Sequence, residues 1–111
     1  MNWIELNSLH QLAEIKEFSK SRAQVIFKHS TRCSLSTIAK SRLERIEQPE
    51  AIDFYFLDLL KFRSLSNKIA EDFEIPHESP QVLLIKNMEC VYEESHNGIN
   101  MAEIAAQVNS N

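Results

Sequence analysis

Short strand-like runs alternate with helix-like segments along this chain, and the last two runs stand only three residues apart. That order constrains the fold more than any other feature. Ala23–Lys28 carries the apolar run Val25-Ile26-Phe27. Ala51–Leu59 carries Ile52-Asp53-Phe54-Tyr55-Phe56-Leu57, aromatic and β-branched residues that favour an extended backbone. Gln81–Lys86 and Cys90–Ser95 are joined by Asn87-Met88-Glu89, a link short enough to require an antiparallel hairpin.

The helical patterns fall between these runs. A first helix is predicted from Ser8 to Lys20, opened by the capping box Ser8-Leu9-His10-Gln11, with Leu9, Leu12, Ala13 and Phe18 on one face. A second starts at Cys33 or Ser34, carries Leu35, Ile38, Ala39, Leu43 and Ile46 at helical spacing, and is stopped by Pro49. Ser64 is the expected N-cap of a third, with Leu65, Ile69 and Phe73 on its apolar face and Pro76 beyond it. Asn97-Gly98 marks a turn before a last helix, Ile99–Val108.

Two strands joined by a helix form a parallel pair with a right-handed crossover. The closing hairpin adds antiparallel strands. The expected α/β architecture is a four-stranded mixed sheet flanked by helices, in the order α-βαβαββα, with residues 1–111 forming one domain. Continuous apolar strands fit a sheet covered on both faces. This is the thioredoxin-type arrangement.

Composition narrows the function. The formal charge is −4, from 16 acidic and 12 basic side chains, which argues against a nucleic-acid binder that must neutralise phosphates. The basic residues Lys28, Arg32, Lys40, Arg42 and Arg45 read as a solvated face. Apolar stretches such as Val82-Leu83-Leu84-Ile85 are too short to span a membrane. The segment Met1-Asn2-Trp3-Ile4-Glu5 has no secretory character, so a cytoplasmic protein is expected. A single glycine leaves no phosphate-cradling loop. Two cysteines, Cys33 and Cys90, are too few for a zinc site, and no two of the four histidines stand four apart, so no metal is expected.

Cys33 lies at the joint between the first strand and the second helix, in Phe27-Lys28-His29-Ser30-Thr31-Arg32-Cys33-Ser34-Leu35-Ser36. A thiol at a helix start meets unpaired backbone N–H groups and the positive end of the helix dipole, and both favour the thiolate, which is the nucleophilic form. Lys28, His29 and Arg32 are near in sequence and add positive potential. The spacing Cys33-x-x-Ser36 has the form of a dithiol motif whose second cysteine is a serine. The alternative for Cys33 is an inert, buried small residue. His29 is either an assisting group, raising the potential or relaying a proton, or a surface or capping histidine. His77 and His96 read as turn residues. Cys90, in the last strand, reads as a small hydrophobe rather than a distant resolving thiol, since a disulfide needs Cα atoms within about 7 Å.

Ser79-Pro80 immediately precedes the third strand. Pro80 alone would read as an ordinary trans proline at a strand start. The fold implies instead the strand-leading proline that is typically cis and faces the nucleophile, which would leave the N–H and C=O of Ser79 free to pair with an extended substrate.

The segments from Phe27 to Ser36, Arg63-Ser64-Leu65-Ser66-Asn67-Lys68-Ile69-Ala70 and His77-Glu78-Ser79-Pro80-Gln81-Val82 resemble the YtxJ family, the monothiol bacilliredoxins. These are small thioredoxin-fold proteins of bacteria that use bacillithiol. The family motif is Thr-Cys-Pro-Ile-Ser, and here the segment reads Arg32-Cys33-Ser34-Leu35-Ser36. The resemblance implies Cys33 as nucleophile and Ser36 in the resolving position, where the Ser36 hydroxyl or N–H is expected to hydrogen-bond the Cys33 thiolate. Arg32, Ser34, Ser79 and Pro80 then form the substrate-binding surround. Ser34 in place of proline removes a rigid first helical residue and adds one N–H.

The activity so implied is monothiol thiol–disulfide exchange with bacillithiol or a similar small thiol as co-substrate and no bound cofactor. Client proteins carrying mixed disulfides are the partners. Two other functions are compatible with the scaffold. One is a non-catalytic binding module. The other is an iron–sulfur-carrying monothiol glutaredoxin, although the Cys-Gly-Phe-Ser motif of that family is missing its glycine and phenylalanine here.

Overall fold

β2 (Ala23–His29) is buried along its whole length, and the rest of the fold is arranged around it. It pairs in parallel with β3 (Ile52–Asp58), from Ala23 opposite Ile52 to His29 opposite Asp58. On its other side it pairs antiparallel with β4 (Gln81–Lys86), with Lys28 opposite Gln81. β4 continues through a hairpin into β5 (Glu89–Ser95). The computed structural model describes residues 1–110.

The sheet has five strands, one more than expected. β1 (Trp3–Glu5) adds to the outer side of β3 in parallel, giving the order β1-β3-β2-β4-β5. Three residues, Trp3-Ile4-Glu5, are too few to show a periodicity. The strand exists because the edge of β3 offers free backbone groups, and Leu6 N–H extends the pairing to the Phe56 carbonyl at 2.9 Å.

Helices cover both faces. On one side α2 (Ser34–Glu44) and α4 (Met101–Val108) pack Ala39, Leu43, Met101 and Ile104 against Val25, Phe27, Phe54, Val82 and Leu84. On the other, α1 (Leu9–Phe18) and α3 (Arg63–Phe73) pack Leu12, Ile15, Leu65 and Ile69 against Ile26, Tyr55, Leu57, Leu83 and Ile85. Alternation along β2 therefore sends Phe27 toward α2 and its neighbours Ile26 and Lys28 toward α3. Each fully buried Leu, Ile or Phe contributes about 1.5–3 kcal/mol from removing apolar surface from water.

Several expected helix faces are rotated. In α1, Leu12 faces the sheet as expected, but Leu9 and Phe18 are 62% and 47% exposed, Ala13 is exposed, and Ile15 is buried beside Leu12. In α2, Leu35 and Ile38 lie outward, Ile46 falls two residues beyond the helix end and is also exposed, and Ser36 faces inward beside the expected Ala39 and Leu43. Small residues let this helix sit close to the sheet, so hydrophobicity alone misreads its buried side. Helix α3 begins one residue before its expected cap, with Phe62 at the N-cap and no side-chain capping bond from Ser64. The turn ahead of it is held by Asp58, whose Oδ1 accepts from Leu60 N–H at 3.1 Å and Lys61 N–H at 3.4 Å. Ser8 does cap α1, accepting from Gln11 N–H at 3.2 Å, and Asn100 caps α4, accepting from Glu103 N–H at 2.8 Å.

The hairpin loop is two residues long, Asn87 and Met88, both at positive φ (52° and 69°). This is the left-handed pair that a two-residue hairpin turn favours. Its tip is fastened to the end of α1: Asn87 N–H donates to the Ser19 carbonyl and Met88 N–H to Ser19 Oγ, each at 2.8 Å.

Candidate active site

Cys33 occupies the N-cap of α2 with extended backbone (φ −110°, ψ 118°), and its side chain makes no capping hydrogen bond. Its carbonyl accepts from Ser36 N–H at 3.1 Å and Thr37 N–H at 3.2 Å, which starts the helix. The N–H groups of Ser34 and Leu35, in the first turn, have no intrahelical acceptor, as at any helix start. The thiol is half-buried and free, and exposed Arg32 and Ser34 flank it in the chain. Cys33 N–H donates to the Ser30 carbonyl at 3.1 Å, which folds residues 30–33 into a tight turn.

Ser36 is fully buried, and its hydroxyl serves this turn rather than the thiol. Oγ accepts from Ser30 N–H at 3.0 Å and lies 2.9 Å from His29 Nδ1. Its N–H is spent on the Cys33 carbonyl. His29 is buried between Phe27 and Phe56, with ring centroids 5.8 and 5.1 Å away. Burial, and then the charge of Lys40, hold its proton affinity below the usual histidine value; Asp58 opposes them. The imidazole is therefore neutral near pH 7. The Ser36 hydroxyl thus bridges Ser30 N–H and the His29 ring. His29 is a buried participant, not a surface histidine.

Ser79-Pro80 is a cis peptide bond. The antiparallel pairing of Lys28 with Gln81 places Pro80 one step further, toward His29 and the turn that leads to Cys33. Pro80 is buried and its carbonyl accepts from His96 N–H at 3.0 Å. Among the described residues no hydrogen bond engages the N–H or C=O of Ser79, and Ser79 Oγ is buried without a partner.

Other sequence-singled residues are placed elsewhere. Lys28 does not add positive potential beside Cys33: its side chain is fully buried on the α3 face, where Nζ donates to the Ser66 carbonyl at 3.1 Å and lies 3.3 Å from His77 Nδ1. The expected solvated basic face is partly spent on internal bonds, since Lys40 pairs with Glu44 at 2.9 Å and Arg42 Nη1 donates to the carbonyls of Asn97 and Ile99 at 3.2 Å. Cys90 is partly buried on the edge strand β5, two strands from β2; its thiol donates to the Tyr92 carbonyl at 3.3 Å, and burial pushes its pKa up to about 11. His77 is more than a turn residue, and its ring contact with Lys28 was not visible in sequence. A lysine inside an apolar strand run was the available signal.

The arrangement is that of a free thiol at a helix start, on a strand–helix joint, with a strand-leading cis-proline on the neighbouring strand. The sequence matches, over residues 4–104, the family described as monothiol bacilliredoxin BrxC. The chain belongs to the monothiol bacilliredoxin family. Membership fits the order found here, with one motif cysteine and a serine at the resolving position. Among solved structures, a thioredoxin-fold protein proposed to be an oxidoreductase is 29% identical, with a TM-score of 0.84 over 96% of this chain and 93% of the other. The thioredoxin of Malassezia sympodialis is 14% identical (TM-score 0.75; 96% and 88% covered) and that of Trypanosoma brucei brucei 11% (0.77; 96% and 88%). At those identities the two thioredoxins speak for the fold alone. The bacilliredoxin family and the thioredoxin fold together make this a monothiol redox protein. No helix among the described residues is long and apolar enough to cross a membrane.

Proposed function

We propose that the chain removes bacillithiol, or a similar small thiol, from mixed disulfides on client proteins in the cytoplasm. The observation that carries this reading is Cys33 at the N-cap of α2, half-exposed and free, with no second thiol in its motif.

The Cys33 thiolate attacks the small-thiol sulfur of the client's mixed disulfide. A bond forms between Cys33 Sγ and that sulfur, the client–small-thiol bond breaks, and the client cysteine leaves as a thiolate that takes a proton from solvent. One disulfide is exchanged for another, so no external oxidant or reductant enters this step. Arg32 and Ser34 border the thiol, and the unpaired N–H and C=O of Ser79 offer an edge on which the client segment aligns as an added strand. Cys33 then carries the small thiol. Ser36 has no sulfur with which to displace it, so a second thiol from outside the chain completes the cycle. The role of Ser36 is to hold the turn, through Ser30 and His29.

Intact mass after mixing with a bacillithiolated client protein tests the reading. Wild type is expected to gain one bacillithiol mass as the client's thiol is released, and Cys33→Ser to gain none. Equal transfer to Cys33→Ser sinks the assignment of Cys33. No transfer to wild type, beside a reacting positive control, moves the weight to a binding module or another small thiol.

A further inference from the structure

Lys28 is an ammonium-bearing side chain at 0% exposure, and no carboxylate lies within ion-pairing distance of it among the described residues. Burying an unpaired charge is unfavourable, and an apolar residue at this strand position would stabilise the fold more. Yet two of its three donors are used. One reaches the Ser66 carbonyl in the first turn of α3 at 3.1 Å, and one faces His77 Nδ1 at 3.3 Å; Ser66 Oγ lies 3.4 Å from the same ring nitrogen. Gln81, directly opposite Lys28 in the strand register, donates from Nε2 to the Pro76 carbonyl at 3.0 Å, and its Oε1 is buried without a partner. Two adjacent buried polar residues thus fasten Pro76 and His77, in the short segment that ends at Ser79-Pro80. The same strand, five residues on from Lys28, delivers Cys33.

We propose that Lys28 is a positioning residue for thiol exchange: through His77 and Ser66 it ties the strand leading to Cys33 to the segment that presents Ser79. The inference rests on the exchange reaction proposed above. Lys28 touches no reacting atom; it sets where the Ser79 edge lies relative to the thiol.

The contact has a built-in sign. Burial lowers the Lys28 pKa to about 8, so below that pH His77 Nδ1 faces an ammonium and accepts from it, and protonation of His77 turns the attraction into a repulsion. Burial, then Lys28, then Arg63 of α3 already hold the His77 proton affinity down. Glu78 opposes them and is itself 3.4 Å from His96 Nε2. From α1 this face receives the apolar Leu12 and Ile15, and Lys16, which pairs with Asp72 of α3 at 2.6 Å; Lys68 of α3 holds the same carboxylate at 2.9 Å. Acidification through the His77 titration therefore loosens the tie.

The test compares two rates on the same protein: bacillithiol transfer from a client peptide, which needs the Ser79 edge, and alkylation of Cys33 by iodoacetamide, which does not. Their ratio cancels the thiolate fraction. Lys28→Met is expected to lower the ratio about tenfold, in line with the sensitivity of such reactions to small misplacements, while leaving alkylation and the urea midpoint undiminished. In wild type the ratio is expected to fall as pH drops from 7.5 to 5.5. In His77→Ala, which keeps the Lys28–Ser66 bond and guards against a misfolded Lys28 variant, it starts lower and stays flat. A ratio unchanged in both variants overturns the positioning role while exchange itself stands. A wild type that is alkylated but never accepts bacillithiol overturns the exchange reading, and the positioning role with it.

Discussion

Oγ of Ser36 and Nδ1 of His29 lie 2.9 Å apart, both buried, and bracket the segment that carries Cys33. The serine stands where a dithiol enzyme has its resolving cysteine, and here its side chain closes the strand–helix turn. It joins His29 at the end of β2 to Ser30, the first residue beyond it. The turn is thus held from the inside, leaving the Cys33 thiol without a capping hydrogen bond.

Removing that hydroxyl leaves the Ser30 N–H and His29 Nδ1 without partners in a buried site. Ser36→Ala is expected to lower unfolding stability by about 1–3 kcal/mol, the usual cost of stranding buried polar groups. Urea unfolding followed by Trp3 fluorescence checks this; an unchanged midpoint would remove Ser36 from the support of the turn.

Acid should loosen the fold before its carboxylates titrate. His29 and His77 both have folded-state proton affinities below the ordinary value of 6.5, burial being the first cause in each. The unfolded chain binds protons more strongly at these sites, so their contribution is present above 6.5 and is lost as pH falls through and below it. The shifted carboxylates Glu44 and Asp72 start from 4.5 and 3.8 and add their losses only further down. A urea midpoint lower at pH 5 than at pH 7.5 is expected, with the difference reduced in His77→Ala. A flat profile between those pH values would contradict it.

The two cysteines should separate cleanly in labelling. The Cys90 thiol, pushed up to about 11 and hydrogen-bonded to the Tyr92 carbonyl, has almost no thiolate at pH 8. Brief iodoacetamide treatment of the native protein is expected to add one label, at Cys33. Peptide mass mapping that found equal labelling of Cys90 would count against its burial.

Met88 sits at φ 69° in the second position of a two-residue hairpin turn, where glycine is the preferred residue. Its backbone N–H is already anchored to Ser19 Oγ. Met88→Gly is expected to stabilise by about 0.4–1 kcal/mol by removing the cost of a left-handed side-chain-bearing residue. A lower thermal midpoint would show instead that the partly covered Met88 side chain contributes packing that outweighs the strain.

The order of strands and helices, the hairpin, the joint that carries Cys33 and the serine three residues on were all legible in the chain. Each is a local matter: period, capping chemistry and spacing act over a few residues and are read without knowing what lies across the sheet. The short β1 was not legible, because three residues hold no period and their pairing is decided by the free edge of β3. The inward face of α2 was legible only in part: Ala39 and Leu43 face the sheet as expected, but the small Ser36 joins them while Leu35 and Ile38 face out at 44% and 51% exposure. Tertiary packing alone decided the fates of three polar residues. Alternation along β2 sent Lys28 away from Cys33 and into contact with His77, 49 residues later. It sent His29 to the α2 side, where it met the Ser36 hydroxyl. Local sequence determined which residues stand next to the thiol along the chain; the sheet, by sorting neighbours onto opposite faces, decided which of them share its side.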